Sequence, residues 1–490
     1  MPILDLPVTE RADSALSVLD MRLSGTRRPS VQFCWAGTPE ASSSDVGYDV
    51  RPVPTLRPFR ALRYDPVAIG DVAAVISPPY DVISPAQQAV LAARHARNSV
   101  LLDLPPDQPG DEPGARYRRA AAAFAAWRSD GTLRKDPTPA VYAYEQTYHV
   151  PGTAVERTQR GFFARLALES FGPGSGVLPH ERTLGGPKED RHALLKATGA
   201  NFSPIAGLYE SPSGESGQLL ASIAAEPPAT AVTDDDGVRH RLWVVPAGRR
   251  GDGSPGTRLI ELAEAGPITI ADGHHRYETA LRYRDERAVN RACTIDPPYE
   301  FILALFFDLA TTEMTILPTH RVVRGGPPEA ELPAALERLF RVEALASAEA
   351  LVAAFPPTAG GGHDPRIGSW AGGRAAVLRP RTEALAPFLP GDASPVLRGL
   401  GATVLEAALG AIHGLDRAAI AAGDRIDYVR DAGAAIAAVD RGEGDAAYLL
   451  EPTEAADVVR VARAGELMPQ KSTYFYPKPA TGLLFSPGEW

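Results

Sequence analysis

The sequence predicts an α/β (mixed α+β) protein with a principal mixed-sheet domain, a smaller α/β subdomain and a disordered N-terminal tail. Three observations carry this reading. From Leu56 onward, short β-branched or aromatic runs alternate with segments of helical composition. A Pro/Gly-rich break at 325–328 then leads into long Ala/Leu helices. Finally, 490 residues with 44% hydrophobic and 22% charged side chains can bury a sizeable core. At roughly 150 residues per domain, length alone suggests about three domains.

The elements follow in order. Residues 1–54 contain a short amphipathic stretch at 16–23 and a polar, turn-rich segment at 37–45, with little to bury; they are expected to be a flexible tail or an over-extended translation start. Residues 72–76 and 100–104 read as strands, and 85–95 as a helix capped by Ser84. Residues 115–128 form a strong helical pattern ending near Gly131, 140–148 and 159–167 read as paired strands, and 191–198 as a short helix closed by Gly199. Strands are expected at 241–245 and 267–271, a helix at 274–287, and a hairpin from 301–309 with 313–317. These complete a principal domain at 55–325.

The second subdomain, 326–466, is expected to hold helices at 329–340, 397–413 and 453–465 and strands at 374–378, 426–430 and 446–450. A C-terminal segment, 467–490, is aromatic, has Lys471 and Lys478, and lacks any acid between 467 and 485. It is expected to return to the site. The formal Gly-x-Gly-x-x-Gly at 251–256 lies in a long loop with Pro255 inside it and no evident crossover, so it reads as an exposed insertion rather than a dinucleotide fingerprint.

Charge and composition narrow the function. Lys+Arg 50 against Asp+Glu 60 gives −10, which disfavours a broad nucleic-acid-binding surface. No run approaches 18 apolar residues, and Asp5, Glu10, Asp13 and Asp20 interrupt the region where a signal peptide needs an apolar stretch. Two cysteines, Cys34 and Cys293, cannot build a disulfide framework or a Cys-based zinc site. A soluble cytoplasmic protein is therefore expected, with a small phosphorylated molecule as its partner rather than nucleic acid or membrane.

The most informative stretch is Ile268-Thr-Ile-Ala-Asp272-Gly273-His274-His275-Arg276-Tyr277. A β-branched strand runs into Asp-Gly, after which Tyr277, Ala280 and Leu281 fall at helical spacing. The histidines and Arg276 thus occupy the first helical turn, where free N–H groups and the helix dipole favour an anion and a guanidinium can add a forked contact. The plainer alternative makes Asp272 an ordinary N-cap and the histidines surface residues.

Three further clusters carry chemistry. Leu178-Pro-His180-Glu181-Arg182-Thr183 with Lys188, Asp190 and Arg191 combines acid, base and cation within fourteen residues, and could hold an anion while Glu181 or His180 moves a proton. A solvated, salt-bridged loop is the alternative. Ser77-Pro-Pro-Tyr80-Asp81 holds Asp81 in a proline-stiffened loop, which equally suits a braced turn. Pro318-Thr-His320-Arg321 and Gln470-Lys471-Ser472-Thr473 complete the set. Lys471-Ser-Thr lacks the preceding glycines of a P-loop, which excludes a Walker site.

No metal is the first expectation. His180, His274, His320 and Asp272 form the alternative metal set, although no His-x-x-x-His or His-Glu-x-x-His spacing supports it. The absence of Gly-x-Ser-x-Gly and of a nucleophilic cysteine context argues against acyl transfer.

The ordered blocks Arg57-Pro-Phe-Arg60, Ser77-Pro-Pro-Tyr-Asp-Val-Ile83, Leu178-Pro-His-Glu-Arg-Thr183, Asn201-Phe-Ser-Pro-Ile205, Ile270-Ala-Asp-Gly-His-His-Arg-Tyr277, Leu317-Pro-Thr-His-Arg321 and Met468-Pro-Gln-Lys-Ser-Thr-Tyr-Phe-Tyr-Pro-Lys478 resemble the bacterial and archaeal family called domain of unknown function 1015 over about 55–485. Separately, 273–280 resembles the phosphate-binding box of the ParB/sulfiredoxin superfamily, whose members include sulfiredoxin, CTP-binding partition proteins and free serine kinases. That resemblance implies phosphate contacts from Gly273, His275 and Arg276. His274 stands where sulfiredoxin has its reactive cysteine, so sulfinic-acid repair is not expected.

Together these readings give a phosphotransferase or kinase-like enzyme that moves phosphoryl to or from a small, serine-like hydroxyl compound. The expected cofactor is a nucleotide, ATP or ADP, with Mg as its companion. Asp81, Glu181, His180 and His274 are the expected catalytic groups. Asp272, Gly273, His275, Arg276, Arg182, Lys188, Arg191, His320, Arg321, Lys471, Ser472 and Thr473 are the expected phosphate or nucleotide contacts. A metal-dependent phosphohydrolase and a non-catalytic nucleotide sensor are the two alternatives.

Overall fold

In the computed structural model, residues 53–183, 186–288, 297–358 and 364–489 are described. Residues 1–52, which make up nearly all of the expected tail, and both cysteines lie outside them. The expected tail boundary is slightly late, because Pro54 is already buried, its backbone close against Gly176.

The protein is mixed α+β. Its larger sheet has nine strands among the described residues, in the spatial order Val177–Leu178, Ile268–Asp272, Ile205–Tyr209, Phe301–Asp308, Glu156–Ala167, Ala140–His149, Arg239–Pro246 and Thr230–Thr233, with Leu56–Arg57 added against Glu156–Ala167. Two pairings are parallel, Ile268–Asp272 with Val177–Leu178 and Phe301–Asp308 with Ile205–Tyr209; the others are antiparallel. The central strand Phe301–Asp308 is buried at every position, as a strand covered on both faces requires. One face packs on the helices Glu215–Ala224, Pro255–Ala263 and His274–Ala288 through residues such as Leu220, Leu259 and Tyr277. The other face packs on Val458, Met468, Phe475 and Leu484, from the C-terminal part of the chain.

The second sheet has six antiparallel strands among the described residues, ordered Phe340–Leu345, Arg374–Pro380, Ile367–Ala371, Ala446–Leu450, His320–Val323 and Ile426–Val429. It takes its His320–Val323 strand from ahead of the break at 325–328. Residues Arg51–Trp490 form one compact unit. No helix among the described residues is long and apolar enough to cross a membrane.

Several local expectations change. Residues 72–76 form a 3-10 turn, Val72–Ala74, because Asp71 accepts the Ala73 N–H. Residues 100–104 form a helical turn, Val100–Asp103, with Asn98 Oδ1 accepting the Val100 N–H at 3.0 Å. The 301–317 hairpin does not form: Thr315–Leu317 pairs with Tyr474–Tyr476 across the chain. The loop that carries the 251–256 pattern ends at Ser254, which caps the helix Pro255–Ala263, so Gly256 is buried in a helical first turn rather than in an exposed insertion. The 397–413 helix is two helices, Pro395–Gly399 and Gly401–His413.

The C-terminal segment crosses the principal domain. Met468 N–H bonds the His180 carbonyl, Thr481 pairs with Ser77, Phe485 with Leu62, and Ser486 with Asn201. This route brings residues some 300 positions apart into contact.

Candidate functional site

The centre is the turn between strand Ile268–Asp272 and helix His274–Ala288. The pairing with Ile205–Tyr209 shifts register between Ile270 and Asp272, which re-aims Asp272 at the strand end. Gly273 follows at φ +90°, and a Cβ there would lie 2.8 Å from Ile205 Cγ2; glycine is required both by conformation and by space.

Asp272 is the hub of a buried ionic network. Arg276 Nη2 donates to its Oδ2 at 2.5 Å, and Lys478 pairs with its Oδ1. Burial alone would raise the Asp272 pKa, but Lys478 and Arg276 outweigh it and hold the carboxyl far below the usual range. Burial lowers the Lys478 pKa in turn, and the neighbouring Asp272 and Asp81 more than restore it. Lys478 also sits 4.7 Å over the Tyr474 ring, whose hydroxyl accepts from Arg430 at 2.6 Å. A cavity of about 270 Å³ opens here, with Pro79, Asp236, Tyr474 and Lys478 among its walls.

Arg276 is committed to this architecture. Its other guanidinium nitrogen donates to the Pro204 carbonyl, and its side chain is 8% exposed. Arg191 is likewise committed, donating to Asp190 and, at 2.5 Å, to the Asp103 carbonyl. The two guanidinium groups lie 4.0 Å (Arg191) and 5.9 Å (Arg276) from the Tyr80 ring centre. Burial, with Asp81 adding to it, pushes the Tyr80 hydroxyl up to about 12. Asp81 itself is exposed, next to this ring.

The histidines divide into an inner pair and an outer residue. His180 and His274 pack edge to face with ring centres 4.6 Å apart. His180 Nδ1 meets the Ile270 carbonyl at 2.6 Å and Nε2 meets the Thr473 hydroxyl at 3.0 Å, which fixes the tautomer with the proton on Nδ1. His274 Nε2 accepts the His180 N–H at 3.2 Å. Burial lowers the His180 pKa to about 4 and the His274 pKa well below the ordinary value. Burial therefore favours the neutral form of both rings, with both His180 nitrogens and His274 Nε2 engaged in hydrogen bonds. His275 faces outward and is partly buried; burial, Lys188 and Lys471 all lower its pKa.

The Lys471 loop is built around Glu181. Lys471 has φ +55°, a left-handed conformation unusual for a side-chain-bearing residue, and its N–H donates to Glu181 Oε1 at 3.2 Å. Arg321 holds the same turn from the second sheet through the carbonyls of Gln470 (3.2 Å) and Lys471 (3.1 Å). Ser472 closes it on the Pro469 carbonyl at 2.6 Å. Arg321, Ser472 and Thr473 thus shape the loop rather than face a ligand. Burial raises the Glu181 pKa, against the opposing pull of Lys471. The Lys471 side chain is exposed and forms no ion pair among the described residues. Lys188 pairs with Glu278, which also accepts from Thr183 at 2.7 Å. Arg182 is exposed.

His320 departs from the expected set. It lies in the second sheet, 1% exposed, accepting the Leu450 N–H on Nδ1 at 3.1 Å. Among the described residues no group of three or more His, Cys, Asp and Glu side chains is arranged to hold a metal ion, so the set His180, His274, His320 and Asp272 is not assembled.

Sequence reading named Tyr80, Tyr474 and Lys478 within its motifs but gave them no place in the site, and it missed Asp103 and Glu278. The acid-free run from 467 to 485 was the available signal for Lys478, since a buried carboxylate needs a cation brought to it.

No match to the chain is found among curated proteins. Among solved structures it is similar to a conserved hypothetical protein from Pyrococcus furiosus (12% identity, 61% of this chain and 87% of that one, TM-score 0.30). It is also similar to a free serine kinase in complex with AMP (11%, 61% and 83%, TM-score 0.32) and to SbnI with a C-terminal truncation from Staphylococcus aureus (12%, 62% and 82%, TM-score 0.31). These likenesses are remote. The family model described as "Protein of unknown function (DUF1015)" matches residues 56–398, and the chain belongs to that family.

Proposed function

We propose that the protein binds the phosphate groups of a nucleotide or phosphorylated metabolite at the start of helix His274–Ala288 and transfers phosphoryl to or from a small hydroxyl compound. The observation that carries this reading is that Lys188 (itself paired with Glu278), Lys471 and Asp81 all lie within electrostatic reach of His275 at that helix start. Phosphoryl transfer depends mainly on positioning and charge stabilisation, which such a rim supplies. The resemblance of 273–280 to the ParB/sulfiredoxin phosphate box points the same way.

In this reading the N–H groups of the first turn, His275, Lys188 and Lys471 meet phosphate, with Arg182 at the rim. Arg276 and Lys478 hold Asp272 and fix the turn. Asp81 is the base on the acceptor hydroxyl, and Glu181, its pKa raised, is the second candidate for that proton. Mg²⁺ brought by a nucleotide would rest chiefly on phosphate oxygens and water, with Asp81 the exposed carboxylate nearby.

The test is transfer of labelled phosphoryl from ATP or ADP to a panel of hydroxyl compounds that includes serine. The expected result is product formation that falls about a hundredfold or more in Asp81→Asn. Ligand binding without transfer to any acceptor would instead favour the nucleotide-sensing alternative.

A further inference from the structure

We propose that two copies of this chain associate through the outer strand of the second sheet, Phe340–Leu345, running antiparallel about Val342. This strand pairs on one side with Arg374–Pro380, and no strand among the described residues pairs with its other side. Arg341, Val342, Glu343 and Ala344 are all exposed, and Val342 is a large apolar side chain 39% open to solvent. An open edge of this kind is a template for a further strand.

The backbone fixes which groups face outward. The Arg381 N–H donates to the Leu339 carbonyl at 2.8 Å, one step beyond the Phe340–Pro380 pair. Antiparallel alternation then commits the N–H and C=O of Arg341 and Glu343 to Arg374–Pro380 and turns those of Val342 and Ala344 outward. At the strand's start, the Phe340 N–H is held by the Leu336 carbonyl and the Phe340 carbonyl accepts Arg381 Nε at 3.0 Å. The outward-facing groups therefore centre on Val342.

Side chains select the partner and the register. Arg341 and Glu343 lie on one face of the strand, and neither forms an ion pair among the described residues. A second copy laid antiparallel with Val342 opposite Val342 sets each Arg341 opposite a Glu343, at the non-hydrogen-bonded positions where cross-strand side chains approach most closely. Pairing Val342 with Ala344 instead would set Glu343 against Glu343. Charges on a sheet edge ordinarily discourage pairing; spaced this way, they complement a second copy of themselves about a two-fold axis. The contact is small beside that of a permanent dimer, so the association depends on concentration. It uses none of the residues proposed to meet phosphate and does not rest on that reading.

The experiment is sedimentation velocity on the full chain from micromolar to submillimolar concentration, where a reversible monomer–dimer equilibrium is expected. Arg341→Glu and Glu343→Arg each set like charges opposite one another in both pairs and should weaken the dimer about tenfold or more. Carrying both substitutions in one chain restores the two pairs and should recover the parent's affinity to within about threefold. An equimolar mixture of the two single variants should form the heterodimer in preference to either homodimer. Val342→Pro removes an N–H that faces away from the sheet and should abolish the dimer, with Val342→Lys in its place if that variant does not fold. The proposal is overturned if the parent stays monomeric throughout, if the dimer persists unchanged in either charge reversal or in the folded Val342 variant, or if the double variant and the mixture fail to recover it.

Discussion

Asp272 must remain ionised while buried, and two cations make that tolerable. Removing the anion strands both of them. Asp272→Asn is therefore expected to cost about 3–5 kcal/mol, measured as a shift in the urea midpoint, whereas Lys478→Met leaves the Arg276 pair intact and should cost less. Equal losses in the two variants would contradict the hub role. Gly273→Ala meets both a positive φ and the Ile205 side chain, so about 1–3 kcal/mol is expected from it by the same measurement.

The buried histidines set a pH response with a defined sign. His180 and His320 have folded pKa values of about 4 against an ordinary value of 6.5, chiefly through burial. Their unfolded forms take up protons first, so their contribution to stability is intact above pH 6.5 and is lost as pH falls toward 4. Each accounts for about 3 kcal/mol at most over that window. Urea titrations between pH 7 and 4.5 should show falling stability, with a shallower slope in His320→Gln; an unchanged slope would count against this assignment.

At the scale of elements, legibility followed periodicity. The strand into Asp-Gly into helix was readable because a two-residue period gives way to a 3.6-residue one within a few positions. Residues 72–76 and 100–104 were not, since short apolar runs fit either state and the deciding capping bonds come from Asp71 and Asn98 just outside them. The 313–317 strand was recognised but not its partner, because Tyr474–Tyr476 lies about 160 residues away and no local turn chemistry announces such a pairing. The Lys471 turn is an element of the same kind, held by Arg321 of the second sheet. Arg321→Met should raise amide hydrogen exchange at 470–473 without comparable change in strand Phe301–Asp308; the same protection at 470–473 in parent and variant would contradict that role.

At the scale of the molecule, the C-terminal segment joins the parts. It contributes apolar side chains to the second face of the large sheet, pairs with strands near both ends of the principal domain, and delivers Lys478 to Asp272. A chain ending at residue 466 should lose cooperative unfolding by calorimetry. A sharp, reversible transition in that truncation would show the segment to be an appendage. The charged blocks of the candidate site were legible because acid, base and cation recur together beside glycines and prolines. What could not be read was commitment: Arg276, Arg191 and Arg321 look alike in sequence to a ligand-facing guanidinium, and only their carbonyl and carboxylate partners turn them into positioning groups.

The central claim, that the start of helix His274–Ala288 receives phosphate, is tested most directly by calorimetric titration of ADP and inorganic pyrophosphate into the parent, Lys188→Gln and Lys471→Gly. Glycine accepts the left-handed conformation at 471, so that variant removes charge without straining the loop. The account predicts saturable binding weakened about tenfold or more by either variant, and stronger at pH 6 than at pH 8 as the phosphate draws a proton onto His275. Binding indifferent to both substitutions, or none at all in the folded parent, would contradict it.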